Sequence, residues 1–138
     1  MRYRTAPSLT AAHVARVHRV ITDAGPAKGV EQQTDADYAG WVDRILATNP
    51  SPGRPIQLFA YGSLIWKPEI EHRAEQPAVA SGWHRSFCLR MHRFRGTLDQ
   101  PGLMMALDRG GQCRGVIYEL PPEDPTTQLD RLFRREFT

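Results

Sequence analysis

Apolar positions fall into two regimes along the chain, helical spacing up to about residue 50 and alternation beyond it. Val14, Val17 and Ile21 recur at three- and four-residue intervals, which predicts a first helix through about Ile21, opened by Ser8 or Thr10 as its cap. The breaker run "DAGPAKG" ends it. Thr34, with Asp35 and Asp37 behind it, opens a second helix whose Tyr38, Trp41, Val42 and Ile45 share one face. Asn49-Pro50 stops that helix, and "NPSPGRP" reads as a stiff linker. Residues 1–55 are therefore expected to be a helical extension packed onto the rest, since too few apolar residues lie there for a separate core.

From Ile56 the period shortens. "IQLFAY" is a short apolar run bounded by turn residues, which suits a buried strand. In "SFCLRMHRF", Phe87, Leu89 and Met91 alternate with Cys88, Arg90 and His92, a half-exposed pattern. "GLMMALDRGGQCRGVIYEL" reads as a hairpin turning at Asp108-Arg109-Gly110-Gly111, where the glycines permit positive φ. A last helix starts at Asp124 or Thr126 and carries Leu129, Leu132 and Phe133 as its apolar stripe, with Arg131, Arg134 and Arg135 directed outward. Residues 56–138 thus read as an α+β domain whose sheet, rich in non-local pairing, is able to curl into a barrel.

Composition narrows the setting. At 138 residues the chain is one domain with enough length for a core. It holds no apolar run long enough for a bilayer, and its first twenty residues lack the continuous apolar core of a secretion signal, so no membrane contact is expected. Cys88 and Cys113 are too few for a disulfide framework, which points to the cytoplasm. The basic residues are sixteen Arg and two Lys, for a net charge of +3. Arginine's planar fork suits carboxylates and phosphates, so acidic substrates and nucleic acid are both admissible.

Several motifs then compete for the chemistry. Ser63 lacks the flanking pattern of a nucleophile elbow and reads as a turn residue. The turn itself is better placed to act, because Gly62 lets the backbone approach a ligand and consecutive free amides form an anion nest. Leu64, Ile65 and Trp66 are expected to anchor it in the core. His84, Cys88 and His92 have metal-like spacing, but on a strand residues four apart lie about 13 Å from each other and cannot converge on one ion. No metal or other cofactor is expected. The run "WHRSFCLRMHRFRG" interleaves Arg with aromatics as a single-strand nucleic-acid face does, yet no RNA-binding signature accompanies it and no nucleic-acid partner is expected. Arg95, at the end of that run, is a candidate for holding a substrate carboxylate.

Glu136 is the most informative residue. Counting i, i+3, i+4, i+7 from Leu129 lands on it, so helical phase sends a carboxylate to the core-facing stripe. Either it is buried there, which would raise its proton affinity, or the last turn frays and leaves it in water.

The ordered set "FAYGSLIWKP", "GWHRSFCLR", "RGT", "GGQCRGVIYELP" and "LDRLFRRE", from about Phe59 to Glu136, resembles the ChaC-like γ-glutamylcyclotransferases, and "LTAAHVARVHRV" looks like the helical extension of bacterial members. The resemblance implies a small mixed β-barrel flanked by helices and the cleavage of glutathione into 5-oxoproline and Cys-Gly without cofactor. It assigns binding of the γ-glutamyl group to Ala60, Tyr61, Gly62, Ser63, Leu64 and Ile65, and acid/base catalysis to Glu136. Ala60 stands where many animal members have Gly. Members of that family continue past this helix with further strands, so the resemblance also implies a C-terminally truncated chain with exposed sheet edges. An inactive remnant that binds γ-glutamyl peptides or a protein partner is the alternative. The sequence leaves oligomeric state open.

Overall fold

A computed structural model of the chain describes residues 10–17, 25–26, 29, 31–51, 53–94 and 96–137. Helix α1 spans Ala11–Val17 and opens at Thr10, whose Oγ1 accepts from the His13 amide at 3.3 Å. Ser8, Ile21, the side chains of Val14 and Val17, and Arg95 lie outside the described residues. Helix α2 covers Asp35–Ala47. Its start is a reciprocal capping box, in which Thr34 Oγ1 accepts from the Asp37 amide while Asp37 accepts from the Thr34 amide at 2.7 Å. Those bonds hold the Asp37 carboxyl below its usual range, the Thr34 backbone bond contributing most. None of the described helices is long and apolar enough to cross a membrane.

Strand β1 is Gln57–Ala60, β2 is Ala74–Met91 and β3 is Gly102–Glu119, in an antiparallel sheet of order β1-β3-β2. The class is α+β, and the sheet is antiparallel throughout and open. The hairpin expected inside "GLMMALDRGGQCRGVIYEL" is absent, because that whole run is the single strand β3, paired with an equally long β2. The glycines serve a bulge instead. Ser81 pairs with Gln112 and Trp83 with Arg109, so β3 carries an extra residue there, and Gly82, Gly110 and Gly111 all have positive φ. A second irregularity between Ser86 and Leu89 places the extra residue on β2 and restores the register. Pro77 lies within β2 and is accommodated because β2 is at a sheet edge.

These bulges fold the ladder over. Arg85 pairs with Leu107 in the ladder, yet its guanidinium donates to the carbonyls of Tyr61 and Arg114. Seven residues of straight strand would set Arg114 about 24 Å from Leu107, far beyond any side chain. The distal hairpin therefore curls back over the end of β1.

Helix α3, Pro125–Glu136, begins at Asp124 with Pro125 in its first turn. Val42 from α2, Leu129 and Leu132 from α3, Ile70 and Leu120 form the core, with Leu46, Ile56, Leu58, Leu64 and Phe133 packed against it. Gly115 sets the distance between β1 and β3, since a Cβ there would sit 2.2 Å from the Ala60 carbonyl oxygen and 2.7 Å from the Phe59 ring.

Candidate functional site

The turn after β1 is fixed by its backbone. Ala60 is fully buried, and Ser63–Ile65 form one turn of 3-10 helix, closed by Ile65 N–H to Gly62 O at 3.0 Å and Trp66 N–H to Ser63 O at 3.1 Å. The amides of Gly62, Ser63 and Leu64 have no acceptor among the described residues, as the opening of a helical turn dictates. Three successive N–H groups thus remain for a ligand, with the Ser63 hydroxyl exposed beside them.

Clamps from three elements hold the turn. Arg85 Nε donates to Tyr61 O at 2.7 Å from the curled hairpin. The buried Tyr118 hydroxyl lies 3.3 Å from both Leu64 O and Ile65 O. Burial, followed by the Glu75 charge, pushes that phenol above its ordinary range, so it stays a donor. From α3, Arg135 donates to Lys67 O and, at 3.0 Å, to Pro68 O, and pairs with Glu69 at 3.1 Å. Higher on the same helix, buried Gln128 accepts from the Glu71 amide at 2.8 Å. Residues 67–71 are therefore stapled to α3 at two levels. Glu69 sits there with φ of 54°, a left-handed conformation that costs a non-glycine residue about 1–3 kcal/mol. Its ion pairs with Lys67 and Arg135 hold it in place.

Two expectations need correction. Leu64 does pack against the core, but Trp66 is 79% exposed and anchors nothing. Arg135, expected outward, turns inward onto the loop, because a long guanidinium stem reaches carbonyls that helical phase alone does not reveal.

Glu136 ends α3 without fraying, for the Phe137 amide still bonds Phe133 O at 2.9 Å. Its side chain is 40% exposed, not buried as helical phase predicts, because the stripe runs out of covering elements at the last turn. Tyr61 is pushed above its ordinary range by desolvation first, then by the carboxylate of Glu136 and by the thiolate forms of Cys88 and Cys113. Tyr61 opens the turn and Glu136 closes α3, where Arg135 Nε lies 3.3 Å from Glu136 Oε1. A phenol and three amides can bind a carbonyl or carboxylate, and the carboxylate can move a proton beside them. Arg85, Tyr118 and Gln128 went unnoticed in the sequence, since each acts on backbone groups that no spacing rule reports. Two other clefts lie elsewhere: one of about 510 Å³ bordered by Thr48, Arg54 and Gln57, and one of about 290 Å³ between α2 and α3.

Residues 56–138 match the family model described as ChaC-like protein. The chain is 46% identical over 91 residues to the glutathione-specific gamma-glutamylcyclotransferase of Escherichia coli, covering 66% of this chain and 39% of that protein. With the enzyme of the same description from Schizosaccharomyces pombe it shares 39% identity over 103 residues, covering 62% and 50%. Among solved structures, a gamma-glutamyl cyclotransferase specific to glutathione from yeast superposes with a TM-score of 0.55 at 25% identity, covering 61% of this chain and 48% of that one. The chain thus spans half or less of the length of these relatives.

Proposed function

The chain belongs to the ChaC-like family, and from that premise we propose that it carries the site of a glutathione-specific γ-glutamylcyclotransferase working in the cytoplasm. The α-amine of the bound γ-glutamyl group attacks its own γ-carbonyl carbon. A five-membered ring closes, the amide bond to Cys-Gly breaks, and the proton lost by the amine ends on the departing Cys-Gly nitrogen. No enzyme nucleophile and no water enter this balance. Holding the substrate folded for ring closure supplies several kcal/mol through proximity.

The remaining demand is proton transfer. A model α-amine titrates at about 8 and a glutamate at about 4.3, a gap worth about 5 kcal/mol. Glu136 is the base that takes the amine proton and delivers it to the departing Cys-Gly nitrogen. Gly62, Ser63 and Leu64 amides steady the oxyanion of the γ-carbonyl. One observation supports the reading: the turn after β1 has its carbonyls clamped by Arg85 and Tyr118 while the Gly62, Ser63 and Leu64 amides have no acceptor among the described residues. Arg95 is our candidate for the substrate's carboxylate.

Glutathione incubated with the purified chain should yield equal amounts of 5-oxoproline and Cys-Gly. Glu136→Gln should lower turnover by about a hundredfold to ten-thousandfold, the range for a positioned general acid/base, while calorimetry still records glutathione binding. Undiminished turnover in that variant removes Glu136 from the mechanism. The 40% exposure of Glu136 favours one alternative, a γ-glutamyl-peptide binder without catalysis. Binding heat with no 5-oxoproline from the unaltered chain would select it.

A further inference from the structure

Helix α2 precedes the stretch that matches the family, residues 56–138, yet its side chains grip the last turn of α3. The Trp41 ring lies 5.9 Å from that of Phe133 and 4.9 Å from that of Phe137. Phe137 follows Glu136 directly, and Phe133 stands one turn before it. Tyr38 meets Trp41 edge-on at 5.6 Å and carries the Arg134 guanidinium 4.7 Å above its own ring. Arg134 also bonds Asp35 Oδ1 at 2.7 Å and Asp130 Oδ2 at 2.8 Å.

The last turn of α3 is thus held from two sides. Residues 133, 134 and 137 are held by α2, and residue 135 by the loop at 67–69. Helix ends ordinarily fray, and a carboxylate in the last turn of a helix would wander with it. Proton transfer tolerates little of that, since a displacement of about 1 Å can cost on the order of a hundredfold in rate.

We propose that α2 is a positioning element for the Glu136 carboxylate, acting through Trp41, which clamps the last turn of α3 by way of Phe133 and Phe137. The role rests on the reading above that Glu136 moves the proton. Trp41 meets the last turn of α3 through Phe133 and Phe137, so it is a positioning residue and not a catalytic one.

The full chain carrying Trp41→Ala is compared with Trp41→Phe and the unaltered chain by amide hydrogen exchange and by 5-oxoproline release. Trp41→Ala should speed exchange at residues 134–137 by about tenfold over any change at Leu120 and Leu129. It should lower kcat by about tenfold with KM within about twofold, the pattern of lost positioning, and Trp41→Phe should restore most of both. Acceleration spread evenly over Leu120, Leu129 and residues 134–137, or a loosened helix end with unchanged kcat, overturns the proposal. If the unaltered chain releases no 5-oxoproline, the functional reading fails and exchange alone decides whether α2 clamps this turn. If Trp41→Ala does not fold, Asp35→Asn replaces it, a change at an exposed residue that removes the charge paired with Arg134. It should speed exchange at 134–137 about twofold and leave Leu120 unchanged, and no local change there overturns the proposal.

Discussion

The two halves of the β2–β3 ladder share one hydrogen-bonding pattern and live in opposite environments. On the proximal side of the Gly82 bulge, Cys113 and Tyr118 are buried and Leu120 continues into the core beneath α2 and α3. On the distal side none of the described residues from 82 to 112 is buried, and Trp83, Phe87, Leu89, Phe94, Leu98 and Leu103 expose large apolar surface. Strand pairing therefore fixes geometry without securing burial. Stability comes where a second layer covers the sheet, and among the described residues the helices supply one. The candidate site sits where the regimes meet. The layered half holds the turn through Tyr118, and the uncovered half reaches back over it through Arg85.

Truncating a core residue tests the contrast most severely. Leu132→Ala should lose about 2–5 kcal/mol in urea unfolding, the range for a buried leucine. Phe87→Ala, at 67% exposure, should stay within about 0.5 kcal/mol. A comparable loss at Phe87 would mean that something covers the distal face in solution.

Glycines at the junction draw the line more finely. Gly115→Ala forces a methyl group onto the Ala60 carbonyl and should cost about 1–3 kcal/mol, as overpacking does. Gly62→Ala meets only Met105 Cε at 3.8 Å, with φ of −137°, and should leave stability within about 0.5 kcal/mol. If the Gly62 backbone cradles the γ-glutamyl group, that silent variant should nonetheless weaken glutathione binding in calorimetry.

The same division governs what the sequence discloses. Helix α2 was legible because its cap, Thr34 with Asp37, and its stripe, Tyr38 and Val42, are local signals that tertiary structure leaves intact. Strand β1 and helix α3 were legible for the same reason, one bounded by turn residues and the other by Asp124-Pro125. Asp108-Arg109-Gly110-Gly111 misled because positive φ serves a bulge as well as a turn, and only the partner strand decides between them. Trp66 misled because apolar character does not guarantee a pocket to fill. Within the site, motif and helical phase indicated the Tyr61 turn and Glu136, whereas Tyr118, Arg85 and Arg135 act on carbonyls that are distant in the chain.

The contact between the two regimes can be read through one phenol. Tyr61 titrates above its ordinary range for two main reasons, desolvation and the Glu136 charge, in that order. Glu136→Gln removes the second and leaves the first. In that variant the Tyr61 ring, followed by carbon-13 NMR, should ionise at lower pH than in the unaltered chain and still above about 10, the ordinary value for a tyrosine. The sign carries over to stability. Between the unfolded and folded values the native state keeps a proton that the unfolded chain has released, so this contribution is present below about pH 10 and is lost as pH rises through that window. Tyr61→Phe should flatten that part of the alkaline decline. A Tyr61 midpoint indifferent to Glu136→Gln would count against a carboxylate placed close to the turn, and so against Glu136 as the group that moves the proton there.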